Sequence, residues 1–371
     1  MWVKKLSLEN FRNFENLQIA LENGTNIVYG DNANGKTNFI EAIYFCATGR
    51  SQRAGHDREL IRFGCRECHL QATVEAEGTR LIDVHLFREG KKKGMAIDHM
   101  PIKKLSQLFG QLLAVIFTPE DLRMVKAGPG ERRAFMDIEL CQLSGAGSSG
   151  GVYYHALRQY YHALKQRNSL LKTTPRDKSL LEVWDAPLCK YGMQIMTYRS
   201  AFIKEIGEIA SRIHSRICAG SYCGLEKLSL DYRPQIADAN QYDERLKRSV
   251  ERDIFQGSTS VGIHKDDVVF NIDGNDVRTY GSQGQQRTVA LSVKLAEIEL
   301  IKSRTRRMPV LLLDDVLSEL DESRQRFLFE HIGGLQTVLT CTGVEDVLKG
   351  TKGNIMKMIN GTIHISEGSL K

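Results

Sequence analysis

The octapeptide GDNANGKT at positions 30–37 restricts the fold of this chain more than any other stretch. Before it runs a short apolar segment, TNIVY. After it comes the helical pattern KTNFIEAIYFCAT, apolar on one face. The spelling G-x-x-x-x-G-K-[ST] between a strand and a helix describes a phosphate loop. Gly30 and Gly35 let the backbone turn tightly, so that the N–H groups across Asp31, Asn32, Ala33 and Asn34 face a phosphate. The helix beginning at Lys36 adds its positive end. Lys36 would reach the β- and γ-phosphates of a nucleotide, and the Thr37 hydroxyl would ligate Mg2+.

Such a site needs a carboxylate for the metal. PVLLLDDVLSELD at 309–321 provides a wholly apolar run ending in Asp314 and Asp315. An unbroken apolar strand belongs inside a parallel sheet, and parallel sheets bind ligands beyond the C-terminal ends of their strands. Asp314 would hold the metal through water, and Asp315 would orient or deprotonate an attacking water. Taken alone, the pair also suits the cap of a following helix; the loop at 30–37 favours the metal.

The chain has 371 residues, enough for two domains or one elaborated domain. No apolar run approaches the roughly 18 residues of a membrane span, and the N-terminus has no signal-type stretch, so a cytoplasmic protein with reduced cysteines is expected. CRECH at 65–69 has the haem-attachment spelling, but no export signal accompanies it. The following residues alternate like a strand, and no second C-x-x-C completes a zinc site. The net charge of +6 is compatible with a nucleic-acid partner only if clusters such as Lys91–Lys93, Arg132–Arg133 and Arg304/Arg306/Arg307 share one face.

Along the chain, three strands are predicted in the first 30 residues, a hairpin over 68–90 turning at Glu77–Gly78, and a further strand in KKKGMAIDHM. LLAVIFT at 112–118 reads as a buried strand. PEDLRMVKAG and GERRAFMDIELCQL read as helices, SGAGSSGG at 144–151 as a loop, and 152–172 and 180–218 as long helices split by TTPRDKS. QYDERLKRSVERDIF is helical; strand character returns in TSVGIHKDDVVFNIDGNDVRTYG. The last hundred residues alternate helix and strand, with a short helix after QTVLTCT and a final strand GTIHI. An α/β domain over 1–118 and 258–371 is expected, with a mainly helical lobe inserted at 119–257.

TYGSQGQQRT at 279–288 is a polar, glycine-punctuated entry to the helix that follows. Ser282 is a good N-cap, Gly284 permits close approach, and the helix presents free N–H groups and a positive dipole. This is a second phosphate-binding element. Two such elements serve one nucleotide only if the second comes from another subunit, which implies a dimer enclosing two nucleotides.

The order of phosphate loop, long insertion, Ser-x-Gly-Gln signature and Asp-Asp followed by SELD resembles the ABC-type ATPase heads, and among them the RecF family of bacterial DNA-repair proteins. NFRNF (10–14), GDNANGKTNFIEAIYFCATGRSQR (30–53), FTPEDLRMVKAGPGERRAFMD (117–137), GSQGQQRT (281–288) and LLLDDVLSELD (311–321) carry the resemblance. It implies a mixed sheet around the loop, ATP and Mg2+ as cofactors, and weak DNA-stimulated ATP hydrolysis. It also implies an ATP-dependent homodimer that binds duplex DNA near single-strand gaps and helps RecR and RecO load recombinase, with ties to replication and the SOS response. The residues it implies are Arg12 and Asn13 near the phosphates, and Asn34, Gly35, Lys36, Thr37 and Asn38 on the triphosphate and metal. Asp314 is the metal carboxylate and Asp315 holds the catalytic position. The resemblance also implies that Ser282, Gly284 and Gln285 face the opposite subunit's γ-phosphate and that Ser318 and Asp321 lie in the loop crossing the interface, and Arg53 resembles an arginine that couples DNA to the ATP site in related SMC heads.

Departures from the pattern are Asp315 where relatives usually carry Glu, which implies slow hydrolysis; Thr342 in place of a switch histidine; and no glutamine after LLAVIFT, Gln111 preceding it. Ile263 and Lys265 stand where the family more often has Pro and Arg. A transporter subunit is disfavoured by the missing histidine and the unusual signature. An SMC-like rod is disfavoured because 152–218 is too short for its coiled coil. ATP acting as dimer glue without meaningful turnover is the remaining alternative.

Overall fold

The computed structural model describes residues 1–90, 93–121, 124–146, 151–173, 178–219, 226–236, 238–343 and 353–365. Lys91, part of the glycine–serine run, most of TTPRDKS and the short helix expected after QTVLTCT lie outside them.

The alternation in the first strands builds an antiparallel sheet. β1 (Trp2–Phe11) pairs with β2 (Phe14–Ala20) on one side and β4 (Glu67–Glu75) on the other. β4 forms a hairpin with β5 (Thr79–Phe87), and β6 (Gly94–Ile97) and β7 (Met100–Pro101) extend the sheet. Period-2 patterning turns Cys68 into the core, while His69, on the opposite face, bonds Asp83.

The central sheet contains β3 (Thr25–Tyr29), β8 (Ala114–Phe117), β12 (Val310–Asp314), β13 (Thr337–Cys341), β14 (Asn354–Ile359) and β15 (Thr362–Ile365). Its order is β15-β14-β3-β13-β12-β8, parallel except for the β14–β15 hairpin, so the expected mixed α/β class holds. Alternate residues of each buried strand serve different cores. Val28, Ile116, Leu312 and Val338 pack with the antiparallel sheet and α1 (Lys36–Thr48); Ile27, Val115, Leu313 and Leu339 pack with the helices on the other face. Helix α1, sandwiched between two sheets, is therefore buried nearly all round.

Those helices are α2 (Pro129–Ala146), α3 (Val152–Leu171), α4 (Lys178–Ala219), α5 (Ala239–Gln256), the single turn α6 (Val277–Tyr280), α7 (Gln283–Thr305) and α8 (Glu322–His331). The helix expected over PEDLRMVKAG does not form among its described residues. The Thr118 N–H and hydroxyl both donate to Asp121 Oδ2 (2.8 and 2.9 Å), and Arg132 takes the carbonyls of Met124 and Ala127 (3.2 and 2.7 Å). The Thr118–Asp121 bonds are those of a capped turn, whereas the Arg132 guanidinium takes the Met124 carbonyl that a continuing helix would pair.

A third sheet joins β9 (Leu228–Arg233) to β10 (Asp267–Ile272) and β11 (Asn275–Asp276), so strands on either side of position 258 pair directly. The segment GIHKDD, for which the sequence suggests no role, is the polar knot of this region. Asp266 accepts from Tyr232 Oη (2.5 Å) and the Gln235 N–H (2.9 Å), and Arg199 on α4 bridges Asp137 on α2 (2.8 Å) to the Ile263 carbonyl (2.9 Å). A Cβ on Gly262 (φ +139°) would sit 2.2 Å from Tyr160 Oη, which explains its glycine.

Candidate nucleotide-binding site

Parallel register creates the site. β13 lies between β3 and β12, opposing Thr340 to Asp314 and Cys341 to Tyr29, so the loop after β3 and the acids ending β12 share one edge. Gly30 cannot carry a side chain, because a Cβ would meet the Met358 carbonyl of β14 at 2.3 Å. Gly35 (φ +105°) is packed equally closely by Asn13, at 2.3 Å.

Lys36 is buried, and its ammonium donates to the carbonyls of Gly30 (2.6 Å) and Asp31 (2.9 Å), leaving one of three N–H groups uncommitted. Asp31, Asn32 and Ala33 are exposed, Ala33 with φ +67°. Thr37 Oγ1 donates to Asp314 Oδ1 (3.1 Å), and Thr340 Oγ1 donates to the same oxygen (2.7 Å). Burial raises the pKa of Asp314, and these two hydroxyls oppose the shift. These are hard oxygen donors, the chemistry Mg2+ takes. Asp315 adopts φ +51°, its N–H held by Thr340 Oγ1 (3.0 Å). Burial raises its pKa too, and Lys36 pulls it back.

Thr37, Asp314 and Asp315 line a cleft of about 250 Å3 together with Gln52, Arg53, Thr118 and Glu120. Gln52, Thr118, Glu120 and Thr340 escape sequence reasoning. Gln52 had a signal beside Arg53 in GRSQR, whereas Thr340 is visible only through strand register. Gln111 precedes β8, a strand parallel to β12, and therefore lies at the sheet edge opposite Asp314. Thr342 follows β13 at the site's own edge.

Several expected residues shape the loop from outside. Arg12 makes a two-pronged ion pair with buried Glu41 (2.9 Å each) and reaches the Glu59 carbonyl (3.0 Å). Asn13 donates to the Asn34 carbonyl (3.0 Å) and accepts from Asn38 (2.8 Å). The Asn34 side chain turns toward the last hairpin, bonding the Met358 carbonyl (3.3 Å) and the Asn360 N–H (3.2 Å). Arg53 donates to Asn38 Oδ1 (3.3 Å), and its charge steadies the Asp314 carboxylate.

The signature lies outside this cleft. Ser282 caps α7 in a reciprocal box: Ser282 Oγ accepts from the Gln285 N–H (3.2 Å) and Gln285 Oε1 from the Ser282 N–H (2.8 Å). Ser282 is exposed. Ser318 Oγ donates to the Asp315 carbonyl (2.8 Å); Asp321 caps α8 and pairs with Arg324, which also holds the Gly284 carbonyl (3.2 Å). The basic clusters are largely spent internally. Arg132 pairs with Asp267, Arg133 bonds the Asp266 carbonyl, Arg304 pairs with Glu205, Arg307 with Glu77 and Lys93 with Asp57.

Among the described residues no helix is long and apolar enough to cross a membrane. A family profile described as RecF/RecN/SMC N terminal domain matches residues 2–353. The DNA replication and repair protein RecF of Lachnoclostridium phytofermentans is 47% identical, covering 98% of this chain and 99% of that protein. The RecF of Agathobacter rectalis is 48% identical over 94% of each. A solved recombination mediator protein RecF-ATP of the RecFOR pathway superposes with TM-score 0.88 at 32% identity, over 98% of this chain and 97% of that one. The Smc head domain of Pyrococcus furiosus shares the fold at 15% identity, with TM-score 0.55 over 100% of this chain and 96% of that one. With full-length identity to curated RecF proteins and an ABC-type ATPase head for its fold, this chain belongs to the RecF family.

Proposed function

We propose that this protein is an ATP-dependent DNA-binding factor of recombinational repair. Two copies join around two ATP molecules, bind duplex DNA near single-strand gaps and, with RecR and RecO, help load recombinase; slow hydrolysis resets the assembly. The observation that carries this reading is the division of the site. Thr37, Asp314 and Asp315 share one cleft, while exposed Ser282 and half-buried Gly284 form a capped helix end elsewhere. A Cβ on Gly284 would meet nothing nearer than Arg324 Nη2 at 3.7 Å, so the chain's own packing does not require this glycine. A glycine inside a helix costs about 1 kcal/mol relative to alanine, and close approach by an anion on a second subunit accounts for it.

In this mechanism the loop 30–37 wraps the phosphates, with Asn13 and Asn34 bracing its shape, Arg12, oriented by Glu41, near the phosphates and Lys36 neutralising charge. Thr37 and Asp314 would hold Mg2+, which would supply neutralisation of the phosphate charge. Asp315 orients the attacking water. Being one methylene shorter than glutamate, it does so slowly, which suits a switch. Gln52 stands where it could sense the γ-phosphate. Ser282, Gly284 and Gln285 close the site from the other copy, and Ser318 and Asp321 run along that interface. Residues 1–118 and 258–371 form the ATPase part and 119–257 the inserted lobe. DNA binding is sequence-independent and salt-sensitive.

The test is solution mass by light scattering on Asp315→Asn. Doubling with Mg-ATP but not Mg-ADP, abolished by Ser282→Arg, is the expected result. A monomer under both nucleotides refutes the composite site.

A further inference from the structure

Three side chains unused above converge behind the signature end of α7. His214 and Cys218 lie one turn apart on α4, 0% and 1% exposed; Glu226 just precedes β9, its side chain 14% exposed. His214 Nε2 is 3.3 Å from Glu226 Oε2 and 3.5 Å from Cys218 Sγ, and Cys218 Sγ is 3.8 Å from Glu226 Oε2. We propose that these three atoms form a binding site for a divalent cation of the zinc class.

The geometry fits. With metal–ligand bonds of about 2.0–2.3 Å, the edges of a tetrahedron are about 3.3–3.6 Å long. The three measured edges match this to within a few tenths of an ångström. The chemistry fits as well. A thiolate, a carboxylate and a neutral imidazole balance the charge of a divalent ion inside the protein. Burial lowers the pKa of His214 and so favours the neutral ring. Its other nitrogen, Nδ1, lies 3.4 Å from Ser292 Oγ on α7, an acceptor that would fix the tautomer with Nε2 bare for the metal. Nitrogen with sulfur suits zinc rather than Mg2+ or Ca2+. The fourth position is left for water or another ligand.

The site also reaches the signature. Glu226 Oε1, on the same carboxylate, accepts from Gln285 Nε2 (2.9 Å), so a bound ion would tie α4 and β9 to the capping box of α7.

The experiment uses the full chain without nucleotide, so its outcome is independent of the ATP reading. Co2+ alone is titrated and the thiolate-to-cobalt charge-transfer band followed, with metal content counted by mass spectrometry. One ion per chain with that band is expected. Cys218→Ser should abolish the band while Cys189→Ser keeps it. Glu226→Gln retains an oxygen for Gln285 and sits near the surface, so it should fold; it is expected to weaken Co2+ at least as much as the about 10–100-fold seen for outer-shell losses. Absence of stoichiometric Co2+ uptake by the wild type, or uptake unchanged in folded Cys218→Ser and Glu226→Gln, overturns the proposal and leaves an ordinary hydrogen-bonded cluster.

Discussion

Replacing Gly284 with glutamate pulls folding and function in opposite directions. Gly284 is the second residue of α7, and a Cβ there has open space beyond Arg324 Nη2 at 3.7 Å. Glutamate is a better helix former than glycine by about 0.5 kcal/mol. A carboxylate in the first turn gains about 0.3–1 kcal/mol from the helix dipole. The isolated chain should therefore be stabilised by about 1 kcal/mol. At about 2.1 cal/mol/K per residue, the unfolding entropy of this chain turns that into a Tm rise of about 1 °C. In the proposed dimer the same carboxylate would face a phosphate charge. At about 5 Å and an effective dielectric of about 20, the repulsion is about 3 kcal/mol per site, more than a hundredfold in association. Calorimetry without nucleotide and light scattering with Mg-ATP, both in the Asp315→Asn background, read the two effects. A normal ATP-induced dimer with glutamate at 284 would refute the placement of this helix end against a phosphate. A clear loss of Tm would refute the claim that the fold leaves the position open.

Arg199→Met strips the charge shared by Asp137 and Asp266 from a fully buried position. Breaking such a pair costs about 3–5 kcal/mol, to be read as a lowered urea midpoint. His264 accepts from Tyr160 Oη (2.8 Å) and faces the Thr259 carbonyl (3.0 Å), and burial pushes its pKa down to about 4. Because the folded value lies below the unfolded one, its stabilisation is complete above about pH 6.5 and is lost as pH falls toward 4, by up to about 3 kcal/mol. Melting curves across that window should flatten in His264→Gln relative to wild type. Thr340→Val removes the 2.7 Å hydrogen bond to Asp314 while keeping side-chain shape. A lost hydrogen bond to a charged group is worth about 1.5–3 kcal/mol, so the Mg2+ concentration for half-maximal ATP turnover should rise about tenfold or more. An unchanged requirement would show that Thr340 does not position the carboxylate.

Much of the architecture was legible because periodicity and apolar runs are local. TNIVY and VLLLD became central parallel strands, and the alternating segments became the outer sheet. PEDLRMVKAG departs from its helical pattern because the Arg132 guanidinium, beyond the segment, holds the carbonyls of Met124 and Ala127, which no local pattern reveals. The division at 258 follows the return of strand character after a helical stretch, a local signal that does not show β9 and β10 pairing across it. In the site, Gly30, Lys36 and Asp314 declare themselves by spelling and context. Thr340 has no spelling and is placed only by strand register.

The sequence alone determined the chemistry of the loop, the acids that follow an apolar strand, and the serine-capped, glycine-bearing helix entry, because each depends on residues within a few positions of one another. Only the tertiary structure decided that Thr340 stands between Asp314 and the loop, that Arg12 is bound to Glu41 and Asn34 to the last hairpin, and that Arg132, Arg304 and Arg307 pair with acids of the same chain. It also brought His214, Cys218 and Glu226 together beside Gln285. These arrangements follow from strand order and helix packing across as many as 326 positions of separation, distances over which hydrophobic periodicity carries no information about which side chains meet.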